Sequence, residues 1–84
     1  MAEITVYTAP WCGDCRRAKQ FLSERNVAFR EVNVDEDDAA SELVIRVNNG
    51  KRKIPTVEVD GRYFNVSPFD PYKLSEELNI PLNS

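Results

Sequence analysis

The reactive side chains of this sequence are two cysteines, Cys12 and Cys15, which are separated by two residues and are the only cysteines in the chain. Thiols at this spacing lie one helical turn apart when a helix begins at the first of them, close enough to form a disulfide. Such a pair can reduce other disulfides. Cys12 attacks to form a mixed disulfide, and Cys15 then attacks Cys12 and releases the reduced product.

The residues around the first cysteine are expected to tune its ionisation. A helix N-terminus stabilises an anion by about 0.3–1 kcal/mol, which favours the Cys12 thiolate. Arg16, one turn further on, acts in the same direction. Asp14 opposes them, because a carboxylate about 6 Å away in water costs about 0.7 kcal/mol. Gly13 completes the separating dipeptide. We expect the stabilising contributions to exceed that of Asp14, so that Cys12 is the nucleophile and the deeper Cys15 the resolving thiol.

Two other roles for the cysteines are weaker. A zinc site takes four ligands, and the sequence has no histidine and no second cysteine pair. The sequence therefore predicts no metal site within one chain, although half of a site shared by two chains stays open. A structural disulfide between Cys12 and Cys15 would close too small a loop to stabilise the fold appreciably.

The elements that must position this pair follow from hydrophobic periodicity. Residues 4–7 are β-prone, and apolar residues then recur at helical spacing from Cys15 to Leu22. A second strand is predicted over residues 27–34. A second helix is predicted after the acidic residues 35–38, which offer N-caps, and it ends at residues 48–50.

The C-terminal part predicts a hairpin and a last helix. Residues 56–59 and 62–64 flank Asp60-Gly61, which is a two-residue turn signal. Asp70 and Pro71 suit the N-cap and first position of a helix. The order is thus β-α-β-α-β-β-α. We predict one α/β domain over residues 1–84, a four-stranded mixed sheet with helices on both faces.

Charge and hydropathy exclude several classes of function. The net charge is −3, and residues 31–42 carry six acids and no base, which we interpret as a solvated turn and helix start. Nothing indicates a nucleic-acid surface. No apolar run reaches the roughly 18 residues of a membrane span. The N-terminus lacks the features of a signal peptide. We therefore expect a cytoplasmic monomer without nucleic-acid or membrane partners.

At this point the sequence resembles a known family. Residues 7–15, Tyr-Thr-Ala-Pro-Trp-Cys-Gly-Asp-Cys, with Ile54-Pro55-Thr56 some forty residues later, are similar to glutaredoxins, and most of all to small bacterial glutaredoxin-like proteins of the mycoredoxin type. The likeness extends over residues 4–78. It implies a thioredoxin-like fold and a thiol–disulfide oxidoreductase with a redox-active CxxC, which works in electron transfer and cell redox homeostasis.

The resemblance also implies where a thiol substrate binds. Ile54-Pro55 would be a cis peptide facing Cys12, and the backbone of Lys53, Ile54 and Pro55 would pair with the cysteinyl part of glutathione. Tyr7 and Trp11 would wall the groove. Asn65 and Ser67 would offer polar groups where the family holds the γ-glutamyl end.

The sequence departs from the family pattern at two places. Ala9 stands where a lysine is usual, and residues 65–68 replace a Gly-Gly pair followed by Asp. The basic triplet of residues 51–53 either replaces the lysine as a carboxylate partner or is a solvated loop. No bound cofactor is expected.

The expected substrates are disulfides of proteins or small thiols. Glutathione or another low-molecular-weight thiol is the co-substrate, or a flavin-dependent thioredoxin-type reductase recycles the protein. The alternative is an iron–sulfur or metal carrier that binds through Cys12 of two protomers.

Overall fold

The computed structural model describes residues 3–82. Strands and helices follow one another as β-α-β-α-β-β-α, which confirms the predicted order. The bounds are β1 Ile4–Thr8, α1 Gly13–Glu24, β2 Arg30–Asn33, α2 Asp38–Val47, β3 Thr56–Val59, β4 Arg62–Asn65 and α3 Pro71–Leu78. Within residues 3–82, no helix has both the length and the apolar character that crossing a membrane requires.

The strands form one mixed sheet in the order β2-β1-β3-β4. β1 runs parallel to β2, with Val6 opposite Glu31, as expected of two strands joined by a crossover helix. β1 and β3 are antiparallel, with Val6 opposite Val57, and the β3–β4 hairpin places Val57 opposite Phe64. β1 is therefore an interior strand, and the loop that follows it leaves the middle of the sheet.

Aspartate side chains begin two of the helices. Asp37 accepts a hydrogen bond from the Ala40 backbone at 3.0 Å at the start of α2. At the start of α3, Asp70 accepts one from the Tyr72 backbone, also at 3.0 Å. Pro71 occupies the first turn of α3, where its missing N–H has no helical partner to lose. The predicted start of the last helix is confirmed.

Left-handed backbone conformations close the helices and the hairpin. Asn26 follows α1 with φ 58°, and Asn79 caps α3 with φ 56°. Asp60 and Gly61 have φ 53° and 80° in the turn between β3 and β4. Positive φ at both central residues is the requirement of a type I′ turn, which gives the twist that joins two adjacent antiparallel strands. The hairpin read from Asp-Gly is confirmed.

The alternation of side chains along β1 divides the core into two clusters. Val6 packs with Leu22 of α1 and Leu74 of α3, all three without exposed surface. Tyr7 packs in the other cluster, which contains Val44 of α2. Successive residues of a strand face opposite sides of the sheet, so helices cover both faces, as predicted.

The second strand is shorter than the predicted span of residues 27–34. Val27 and Phe29 precede β2 and pack, partly buried, against the cluster of α1 and α3. The Val27 amide donates to the carbonyl of Leu22 at 2.9 Å, so it closes α1 instead of joining the sheet. The apolar character of residues 27–29 thus reflects core packing of a connecting segment.

Candidate active site

Cys12 is the N-cap of α1, at the end of the loop that leaves β1. Its backbone is extended, with φ −88° and ψ 114°, and its amide donates to the carbonyl of Ala9 at 3.2 Å. The Cys15 backbone N–H donates to Cys12 Sγ at 3.1 Å. The sulfur of Cys12 is therefore the side-chain cap of the helix and accepts one of its free backbone N–H groups.

Cys15 lies in the first turn of α1 and has no exposed surface. Burial, followed by the hydrogen bond with the Cys12 side chain, raises the pKa of the Cys15 thiol to about 12. Both cysteines are free thiols in this structure. Cys15 is therefore protonated at neutral pH in the reduced protein, and it lies behind Cys12 as seen from the surface cleft described next.

Cys12 opens into a cleft of about 320 Å³. Residues 11–14 form one wall, residues 52–54 form the other, and Ser67 completes the lining. The structure therefore brings four of the predicted thiol-binding residues together with the cysteine: Trp11, Lys53, Ile54 and Ser67.

The peptide bond between Ile54 and Pro55 is cis, as the family resemblance implied. The Ile54 carbonyl faces the cysteine, and the Cys12 thiol donates to it at 3.8 Å. A second cis peptide, Ser67–Pro68, was not anticipated from the sequence.

Three predicted binding residues lie outside the cleft lining. Pro55 is fully buried, and the Asn65 amide donates to the Asn48 side chain at 3.1 Å. Tyr7 is half-buried in β1, in the cluster that contains Cys12. Burial, followed by repulsion from Tyr63, raises the pKa of the Tyr7 hydroxyl.

The predicted tuning residues have separate surroundings. Asp14 forms an ion pair with Arg17 at 3.2 Å, which partly neutralises its carboxylate beside Cys12. Arg16 is exposed and, among residues 3–82, its side chain has no hydrogen bond or ion pair. A Cβ on Gly13 would meet only the Arg17 guanidinium, at 3.8 Å, so the backbone leaves room for a side chain there.

A polar bridge across the rim of the cleft was missed from the sequence. The Trp11 indole donates to one carboxylate oxygen of Asp35, and the Arg52 guanidinium donates to the other, each at 2.8 Å. Arg52 also donates to the Ser41 hydroxyl at 3.2 Å. The hydrogen bonds from Arg52 and then Trp11 hold the pKa of the Asp35 carboxyl below its ordinary value.

This bridge gives one member of the basic triplet a partner that neither interpretation of the triplet named. Arg52 is a carboxylate partner, but of Asp35 in its own chain. The sequence did contain one indication that Trp11 and Asp35 lie close together. Trp11 follows β1 and Asp35 follows β2, and the carboxyl ends of parallel neighbours lie at the same edge of a sheet.

Two further observations bear on where chemistry occurs. A larger depression of about 630 Å³ lies between α1 and α3 against Phe21 and Phe69, and neither cysteine lines it. Within residues 3–82, no three His, Cys, Asp or Glu side chains are grouped so that they could hold a metal ion. The reactive groups of the described chain therefore converge on the cleft at Cys12.

Known proteins resemble the chain both in sequence and in fold. The family model described as Glutaredoxin matches residues 4–64. The glutaredoxin-like protein NrdH of Lactococcus lactis subsp. cremoris is 37% identical over 73 residues, which are 87% of this chain and 96% of that protein. Among solved structures, a mutant of the thioredoxin-like protein BC3987 has a TM-score of 0.79 at 36% identity and covers 93% of this chain and 96% of its own. The NrdH-redoxin of Escherichia coli has a TM-score of 0.74 at 27% identity over 88% of this chain and 92% of its own, and is described as glutaredoxin-like with a thioredoxin-like activity profile.

Proposed function

The chain belongs to the glutaredoxin family, and from that premise we propose that it is a dithiol–disulfide oxidoreductase with Cys12 as nucleophile and Cys15 as resolving thiol. One observation carries the proposal. Cys12, only 8% exposed, borders an open cleft, and its Sγ accepts the Cys15 N–H at 3.1 Å, while Cys15 has no exposed surface. A thiol that borders a cleft, with a second thiol one turn further along the helix, suits two successive exchanges.

The first exchange begins with the Cys12 thiolate. It attacks one sulfur of the substrate disulfide, so a bond forms between that sulfur and Cys12 while the substrate S–S bond breaks. The other substrate sulfur leaves as a thiolate and takes a proton from water. The N–H of Cys15, aimed at Cys12 Sγ, favours the charged nucleophile before attack.

The second exchange requires Cys15 to lose its proton. Two causes of its raised pKa are the hydrogen bond with Cys12 and the charge of Cys12. Both weaken when Cys12 enters a mixed disulfide, because its sulfur is then neutral and a poorer acceptor for the Cys15 S–H. The Cys15 thiolate attacks Cys12 Sγ, the intramolecular disulfide forms, and the second substrate sulfur leaves. The substrate has gained two electrons and the protein has lost two.

The cleft supports disulfides of proteins or of low-molecular-weight thiols as substrates. Lys53 and Ile54 offer an exposed cation and a backbone beside Cys12, where an extended thiol peptide can add as a short strand. We propose glutathione or another small thiol as the co-substrate that restores the dithiol.

A second route of recycling, by a thioredoxin-type flavin reductase, is supported by a specific observation. The Arg52 guanidinium binds Asp35 and the Asn65 amide binds Asn48, so two side chains suited to the ends of glutathione are already engaged. The similarity to an NrdH-redoxin described with a thioredoxin-like activity profile supports the same route.

A coupled NADPH assay on a mixed glutathione disulfide tests the proposal. The protein is supplied in parallel with glutathione plus its reductase, and with thioredoxin reductase alone. We expect NADPH oxidation with at least one system and none with Cys12→Ser. Absence of turnover with both systems would refute the proposed function.

The Cys15→Ser variant separates the two routes. We expect it to keep activity with glutathione, which can resolve the mixed disulfide in place of Cys15, and to lose activity with thioredoxin reductase. Brown colour and visible absorption after anaerobic purification would support the iron–sulfur carrier instead.

A further inference from the structure

A chain of partly buried side-chain hydrogen bonds leads to two segments of the cleft lining. Its centre is Asn48, the C-cap of α2, whose amide nitrogen donates to the Thr56 hydroxyl at 3.0 Å and to the Val44 carbonyl at 2.8 Å. The Thr56 hydroxyl in turn donates to the Lys53 carbonyl at 2.6 Å. Because Thr56 both accepts and donates, and has no exposed surface, its hydroxyl has a fixed orientation.

The same chain extends to a second segment of the cleft lining. The Asn48 carbonyl oxygen accepts from the Asn65 amide at 3.1 Å, and the Asn65 carbonyl oxygen accepts from the Ser67 backbone N–H at 3.4 Å. One asparagine therefore joins the segment at Lys53 to the segment at Ser67. Lys53 and Ser67 both line the cleft together with Cys12.

We propose that Asn48 and Thr56 are positioning residues for substrate binding, which hold the Lys53–Ile54 backbone and Ser67 at the spacing that the incoming disulfide requires. The inference rests on the proposed function. Neither residue lines the cleft, so each acts through the groups that do.

Helix capping alone does not explain the side-chain hydrogen bonds of Asn48. Its backbone N–H already donates to the carbonyls of Val44 and Ile45, at 3.2 and 3.3 Å, as a helix end requires. The side-chain bonds to Thr56 and Asn65 add nothing to that capping. They lead instead to the two cleft segments.

Arg52 anchors the same segment at the rim through Asp35 and Ser41, but the group that bonds to the Lys53 carbonyl itself is the Thr56 hydroxyl. Residues 48–55 connect α2 to β3 without regular secondary structure. The Ile54 carbonyl at its end lies 3.8 Å from Cys12 Sγ, so a displacement of this loop changes the cleft next to the reacting sulfur. Binding groups misplaced by about 1 Å can cost about a hundredfold in rate.

Paired variants of Thr56 test the inference. Thr56→Val keeps the shape and removes the hydroxyl, whereas Thr56→Ser keeps the hydroxyl. With the mixed glutathione disulfide and whichever recycling system turns over the wild type, we expect Thr56→Val and Asn48→Ala to raise KM about tenfold or more, with a smaller change in kcat. Thr56→Ser should stay within about twofold of the wild-type KM.

Two controls separate positioning from general loss of stability. Asn79→Ala changes the C-cap of α3, away from the cleft, and should lower stability without raising KM. The rate at which iodoacetamide modifies Cys12 at pH 7 should change much less than KM in Thr56→Val, because the hydrogen bond from the Cys15 N–H to Cys12 is kept. A wild-type KM in both Thr56→Val and Asn48→Ala, or equal impairment of Thr56→Ser, would overturn the inference.

A measurement that needs no turnover keeps the inference distinct from the proposed function. Amide hydrogen exchange at Ser67 should be faster in Asn48→Ala, since the Asn65 carbonyl that accepts from it loses its support. Unchanged exchange at Ser67 would reject the network as a positioning device even in an active enzyme. If the wild-type protein has no oxidoreductase activity but exchange at Ser67 is still faster in Asn48→Ala, the positioning network is supported and only the proposed function is refuted.

Discussion

The buried thiol of Cys15 gives the most specific prediction of the structure. Its pKa of about 12, raised first by burial, leaves about one molecule in 10⁵ ionised at pH 7. Thiolates, not thiols, react with alkylating agents. In the reduced protein, alkylation at Cys15 should therefore be negligible at neutral pH and rise about tenfold with each pH unit.

Short iodoacetamide pulses at pH 7, 8, 9, 10 and 11, followed by peptide mass spectrometry of singly modified molecules, measure this directly. The dependence on pH is the readout, because burial slows the absolute rate at every pH. A rate at Cys15 that levels off below about pH 10 would contradict the assigned protonation state. In Cys12→Ser the levelling should move to lower pH, since the contributions of the Cys12 side chain are lost.

Ionisation of Cys15 must also change the free energy of unfolding, and in a definite direction. A thiol whose pKa is raised on folding stabilises the fold below its unfolded pKa of about 9, and that contribution disappears as the pH rises toward 12. Between pH 8 and 10 the reduced protein should lose about 1 kcal/mol of unfolding free energy that the oxidised protein keeps, because the disulfide has no thiol to titrate. Parallel urea titrations of both forms would refute the reasoning if the two losses were equal.

The remaining predictions concern the rim and the last helix. Asp35→Asn removes the charged acceptor of the Trp11 indole, so acrylamide should quench the fluorescence of this single tryptophan more efficiently than in the wild type. In the wild type, the quenching efficiency should stay constant from pH 7 to below the ordinary aspartate pKa of 3.8, because the pKa of Asp35 is lowered. Equal quenching of variant and wild type would contradict the bridge. Asp70→Ala removes the N-cap of α3 and should lower the free energy of unfolding, measured with urea, by about 0.5–2 kcal/mol. Asp38→Ala, at the first residue of α2, should lower it less, because Asp38 is not the N-cap. Equal losses in the two variants would count against capping by Asp70.

Local rules made the element order readable from the sequence. Asp60-Gly61 and Asp70-Pro71 act within a few residues of themselves, so a turn and a helix start can be recognised without knowing the rest of the fold. The same holds for Cys12 and Cys15, which can be recognised as a reactive pair from their spacing and their place at the start of a helix. The boundary of β2 was not readable, because the apolar Val27 packs in the core whether or not it joins the sheet.

The surroundings of the site depended on contacts distant in sequence. Asp35 lies 24 residues from Trp11 and 17 from Arg52. Its place after β2 indicates that it shares a sheet edge with Trp11, but the hydrogen bonds themselves depend on how the loops fold there. Asn48 was interpreted only as the end of a helix. Its bonds to Thr56 and Asn65 exist because β3 and β4 pass beside the end of α2, which is a property of the assembled sheet.

The Ile54 carbonyl links the chemistry of Cys12 to the binding of its substrate. In the reduced protein the Cys12 thiol donates to this oxygen at 3.8 Å, a long contact typical of a weak sulfur donor. Ionisation or a mixed disulfide removes that proton, and a buried carbonyl without a donor is costly. Under the proposed function, we expect a backbone N–H of an extended substrate to supply the missing donor when Cys12 becomes reactive. The substrate would then bind most favourably to the state of the site that attacks it, provided that the loop carrying Ile54 is held in place.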